Sequence, residues 1–91
     1  KRGLINFLLI DVREVVENEN EMIFGTDHLI PTSDLINGLE KISNKKSENI
    51  IVYCHSGFRS ANVQDIMINI GFKVVVNLIG GISSCSEKIK N

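Results

Sequence analysis

Three short, unbroken apolar runs set the frame for this chain: Phe7-Leu8-Leu9-Ile10, Ile50-Ile51-Val52-Tyr53 and Val74-Val75-Val76. None alternates with polar residues, so each reads as a strand buried on both faces, as in a parallel sheet covered by helices. The segments between them carry the helical patterns. Leu35, Ile36, Leu39 and Ile42 fall at helical spacing after Pro31, with Thr32 or Ser33 as the expected N-cap. Val63, Ile66, Met67 and Ile70 repeat the pattern, and Gly71 is placed to end that helix. A weaker helix is expected over residues 14–20 and a short final one over residues 83–90. Strands alternating with helices predict an α/β domain with a mainly parallel sheet.

The chain has 91 residues, enough for one domain over residues 1–91 and too few for two. Net charge is -1, so no global positive field attracts nucleic acid or acidic membranes. No apolar stretch reaches membrane-spanning length. The N-terminal segment has two basic residues, Lys1 and Arg2, but no small-residue cleavage site, and it reads as a lead into a strand and not as a signal peptide. The two cysteines, Cys54 and Cys85, are too few for a disulfide-built scaffold. With His28 and His55 they show no ligand-like spacing, so no metal site is expected. A reactive thiol in a reducing, cytoplasmic compartment is the expectation.

The segment Cys54-His55-Ser56-Gly57-Phe58-Arg59-Ser60 lies between an expected strand and an expected helix. Asp11 follows the first strand at its carboxyl end, as Cys54 follows the second. Ligands of open α/β sheets bind at that end, which brings Asp11, Arg13 and Cys54 towards one rim. The helix after Cys54 aims unpaired N–H groups and the positive end of its dipole at the loop. These donors favour a thiolate, lowering the thiol pKa from its free value of about 8.5 and making Cys54 a nucleophile. Gly57 lets successive N–H groups converge into an anion nest. Arg59 either binds an anionic donor or clamps the loop; its planar fork suits both. His55 reads as an exposed neighbour of the nucleophile, and His28 as a loop residue. Asp11 and Arg13 read as a hydrogen-bonded pair beside the loop, because a buried arginine needs a partner. Cys85 reads as a small apolar filler.

Taken in order, these pieces resemble a single-domain rhodanese nearly end to end. Leu9-Ile10-Asp11-Val12-Arg13-Glu14 is similar to the family's opening signature, with Glu17 as the carboxylate that follows. Ile23-Phe24-Gly25-Thr26 and Ile30-Pro31 resemble the two ends of its next motif, with Thr26 where the family has Ala. Residues 50–60 resemble the active strand and loop, and Gly71-Phe72, Val75-Val76-Asn77-Leu78 and Gly80-Gly81-Ile82 follow in family order. Cys85 stands where the family often has Trp. Relative to the family, the chain lacks much of the leading strand and helix and ends soon after Gly81, as a trimmed domain or part of a larger protein does.

The resemblance implies a three-layer α/β/α sandwich on a central, mainly parallel sheet. It implies a sulfurtransferase that takes sulfane sulfur from thiosulfate or a persulfide and passes it to a thiol or to cyanide. Carried onto this chain, Cys54 is nucleophile and sulfur carrier. The backbone of His55, Ser56, Gly57, Phe58, Arg59 and Ser60 cradles the persulfide, and Asp11 and Arg13 support it. No cofactor is implied; the partners are a small sulfur donor and a thiol acceptor, which a protein can supply. Two other functions compete. Related phosphatases and arsenate reductases use a Cys-x5-Arg loop, whereas Cys54 and Arg59 enclose four residues. Rhodanese-like modules also serve as sulfur relays or regulatory binding domains.

Overall fold

A computed structural model of the chain describes residues 6–86 and the backbone of Lys88–Lys90. The apolar runs form strands β1 (Leu8–Asp11), β4 (Asn49–Tyr53) and β5 (Val74–Asn77). A two-residue strand, β3 (His28–Leu29), joins them in one sheet of order β3-β1-β4-β5, with every pairing parallel. Strands β2 (Glu21–Ile23) and β6 (Lys88–Lys90) pair antiparallel as a separate ribbon. Helices α1 (Val15–Asn20), α2 (Leu35–Glu40) and α3 (Phe58–Asn69) complete the α/β architecture.

One sheet face carries the larger core. Ile10, Val12, Ile50, Val52 and Val75 pack against Leu39 of α2 and Val63 and Met67 of α3. On the other face, Leu9 and Tyr53 pack with Ile23 and Ile82, and with the partly buried Phe7, Ile51, Leu78 and Cys85. The central strands are therefore apolar on both sides, which is why their sequence runs do not alternate. Strand order reverses between β1 and β4, whose register sets Asp11 beside Tyr53. The crevice beyond the carboxyl ends of such a pair is where this architecture binds ligands, and Cys54 is the next residue.

Several expectations are corrected. No helix lies in the described part of residues 83–90: Gly81–Ser84 is a 3-10 turn, Lys88–Lys90 is β6 against β2, and Glu87 lies outside the described residues. The alternating Lys-Ile-Lys suits an edge strand better than a helix turn. Neither Thr32 nor Ser33 caps α2, since Thr32–Asp34 forms its own 3-10 turn and Asp34 holds the cap position. Both hydroxyls instead donate to Glu14 at the start of α1. His28 belongs to β3 and not to a loop. The helical stripes are also narrower than their spacing suggests. Ile36, Ile66 and Ile70 are exposed, while Leu39, Ile42, Val63 and Met67 are buried. No helix among the described residues is long and apolar enough to cross a membrane.

Candidate active site

Cys54 directly follows β4 and is 1% exposed. Its neighbour Gly57 takes φ +109°, a left-handed conformation that side chains disfavour, and there the chain turns into α3. That turn aims donors at one atom. Cys54 Sγ accepts the Gly57 N–H at 3.1 Å and the Ser60 N–H at 3.5 Å, and the Ser60 hydroxyl lies 3.4 Å away. Burial works against the thiolate. The bonds from Ser60, Gly57 and Ser56 outweigh it and hold the Cys54 pKa below the ordinary thiol value.

The loop is braced from behind by the Gly81–Ser84 turn. The Ile82 and Ser83 N–H groups donate to the carbonyls of Cys54 and His55, each at 3.0 Å. Asn77, at the carboxyl end of β5, donates its Nδ2 to the Gly57 carbonyl at 3.1 Å and accepts from the Ser60 hydroxyl. Arg59 grips Glu17 of α1 with both terminal nitrogens, at 2.7 and 2.9 Å. Asp11 and Arg13 form a buried two-pronged pair at 2.9 and 2.8 Å, and Arg13 also donates to the Glu21 carbonyl at 2.7 Å. Burial opposes the Arg13 charge, but Asp11 and Tyr53 together outweigh it and raise the guanidinium pKa. Arg13 also lies 5.6 Å over the Tyr53 ring, whose hydroxyl accepts the Ile23 N–H. A hollow of about 260 Å³ opens beside the loop between Phe58 and Ile79, which are 83% and 88% exposed.

The Rhodanese-like domain family matches residues 1–88. This chain belongs to that family. Among relatives of the rhodanese domain, YrkF of Bacillus subtilis, provisionally named a sulfur carrier protein, is 38% identical over 82 residues. That match covers 88% of this chain and 42% of YrkF, so the domain spans less than half of that relative. Thiosulfate sulfurtransferase GlpE of Coxiella burnetii is 33% identical over 78 residues, covering 84% of this chain and 68% of GlpE. A structure titled as a rhodanese with anions from E. coli has a TM-score of 0.80 at 25% identity, covering 94% of this chain and 100% of the other.

Within the rhodanese domain, Cys54, Ser56, Gly57 and Ser60 meet at one sulfur. His55, Ser56 and Phe58 have exposed side chains, and Arg59 of α3 ties the loop to Glu17 of α1. Asp11 and Arg13 lie at the neighbouring strand end. No three His, Cys, Asp or Glu side chains among the described residues gather into a group that could hold a metal ion. Tyr53 and Asn77 also build the site without standing out in the sequence. Asn77 could have been found as the polar residue that ends an apolar strand at the ligand-binding edge.

Glu17 gives the assembly a pH signature. The hydrogen bonds from Arg59 hold its carboxyl down from 4.5 to about 2, against a smaller burial effect. A depressed carboxyl stabilises the fold above its unfolded pKa, and that contribution is lost as pH falls through the folded value. Both side chains are partly solvated, so the pair is worth about 1 kcal/mol or less. Glu17→Gln should lower stability by that amount at pH 7. The gap from the parent should close between about pH 4.5 and 2 in denaturant titrations. A gap at pH 2 as wide as that at pH 7 would contradict the assignment.

Proposed function

We propose that this domain moves sulfane sulfur through a persulfide on Cys54. One observation carries the reading: at the helix start, Sγ accepts two backbone N–H groups and has a hydroxyl beside it. In the loading step the Cys54 thiolate attacks the outer sulfur of thiosulfate or of an organic persulfide. The donor's S–S bond breaks, and sulfite or a thiolate leaves with its electron pair. In the discharge step an acceptor thiolate, or cyanide, attacks the outer sulfur of the Cys54 persulfide. The Sγ–S bond breaks and Sγ leaves as the thiolate, so no net redox change occurs in the protein. His55, Ser56, Gly57, Phe58, Arg59 and Ser60 form the loop around the carried sulfur, with Asp11 and Arg13 as its support. A protein thiol suits the open apolar hollow beside Phe58, and YrkF's name supports such a relay use.

Phosphoryl transfer fits less well. A phosphate needs three equatorial oxygens held around phosphorus. Here the loop is short, and both terminal nitrogens of Arg59 are committed to Glu17. The protein should form thiocyanate from thiosulfate and cyanide, or discharge an organic persulfide, and leave an aryl phosphate untouched. Aryl-phosphate turnover that needs Cys54, without sulfur transfer from either donor, would overturn the reading.

A further inference from the structure

The Ser60 hydroxyl has one proton and two neighbours that can accept it. One is Cys54 Sγ at 3.4 Å; the other is Asn77 Oδ1. The orientation of the Asn77 amide decides which is served at rest. Its other end faces the Gly57 carbonyl at 3.1 Å, which can only accept, so that end is the NH2 group. The end facing Ser60 is therefore the carbonyl oxygen, and Ser60 must donate to it. The serine then turns a lone pair, and no proton, towards an uncharged Sγ. A thiolate is a much stronger acceptor than a thiol and competes for that proton.

We infer that Asn77 is a positioning residue for sulfur transfer, holding the Ser60 proton while Sγ is uncharged and yielding it when Sγ becomes a thiolate. The inference rests on the sulfurtransferase reading for its purpose. Sγ carries negative charge as nucleophile in loading and again as leaving group in discharge; between the two it is the uncharged inner sulfur of the persulfide. A hydroxyl that turns towards Sγ only when it is charged serves both half-reactions. The same amide tethers the Gly57 carbonyl and so aims the Gly57 N–H at Sγ. An amide suits the position because it offers one donor to the carbonyl and one acceptor to the hydroxyl. The charged or titratable groups around the sulfur are Arg59 with Glu17, Glu14, the Asp11–Arg13 pair and His55, and none changes in the variants below.

The test is the pH dependence of Cys54 alkylation by iodoacetamide, in a Cys85→Ala background so that one thiol reacts. This readout needs no sulfur donor, so it stands whether or not sulfur transfer is observed. Asn77→Asp keeps the shape, binds the Ser60 proton more strongly and cannot tether the Gly57 carbonyl while ionised. It should raise the apparent Cys54 pKa by about one unit, roughly tenfold less thiolate at a pH below it. In a Ser60→Ala background the same substitution should shift the pKa by less than half as much. A shift of half or more would show that the substitution acts through its charge or through the lost Gly57 tether and not through Ser60, and would overturn the inference. The parent protein gives a second readout that needs no substitution at Asn77. Its side-chain amide nitrogen and protons should titrate with Cys54 by NMR, and that titration should vanish in Ser60→Ala. An Asn77 amide that ignores the Cys54 titration would also overturn it.

Discussion

Gly81→Ala should destabilise the domain by about 3 kcal/mol or more and displace the Cys54 loop. A methyl group built on Gly81 would stand 2.3 Å from the Cys54 carbonyl oxygen and 2.6 Å from that of His55. Both are backbone atoms, so neither can move without moving the loop. Gly81 also sits at φ +56°, a conformation any side chain disfavours. The turn it begins donates two N–H groups to those same carbonyls, so the closest approach in the site falls at its brace. Gly71→Ala is the matched control. Gly71 has φ +110°, but its nearest neighbour would be the flexible Lys46 side chain at 3.6 Å. It should cost about 1–2 kcal/mol of backbone strain and leave Cys54 reactivity unchanged, because it lies at the far end of α3. Urea denaturation with Cys54 alkylation rates separates the two. Equal effects on both readouts would contradict the bracing role of Gly81.

Asp11→Ala should cost about 3–5 kcal/mol, because it strands a buried guanidinium without its counter-ion. The Asp11 and Arg13 side chains are 0% and 4% exposed, and all three contacts between them lie at 2.8–2.9 Å. Asp11 also accepts from Asn18 of α1 at 3.1 Å. The loss should spread from β1 to α1, and from there to the Glu17–Arg59 pair that supports the loop. Replacing both partners together, Asp11→Leu with Arg13→Met, should cost less than Asp11→Ala alone, since no buried charge is then left unpaired. Recovery should be partial, because the Glu21 carbonyl still loses the donor it has in Arg13. A double variant less stable than the single one would show that the ion pair does more than neutralise itself.

The parts of this fold that could be read from the sequence are those whose causes are local. Strands β1, β4 and β5 announce themselves because both of their faces are buried. The Cys54 loop is equally plain, since its cysteine, turning glycine and helix start all fall within residues 54–58. Strands β2, β3 and β6 were not legible. They have three, two and three residues, and their partners lie far along the chain. The Ile23 N–H, for instance, is fixed by the hydroxyl of Tyr53, which no local pattern announces. Thr32 and Ser33 look like helix caps by composition, yet they serve Glu14 eighteen and nineteen residues away. Arg59 left two roles open because its fork fits either an anion or a carboxylate. Only the position of α1, which sets Glu17 against it, distinguishes them. Asn77 belongs to the same class, as a polar strand end whose importance lies in two atoms twenty and seventeen residues earlier.

The proposed chemistry stands or falls on where sulfur is carried. The protein should be incubated with thiosulfate or a small organic persulfide, cleared of donor, and weighed intact by mass spectrometry. One added sulfur atom is expected on the parent and on Cys85→Ala, released by cyanide as thiocyanate or by dithiothreitol as sulfide. Cys54→Ser should add none while keeping the parent's fold. Sulfur uptake of the same amount by Cys54→Ser would contradict the account.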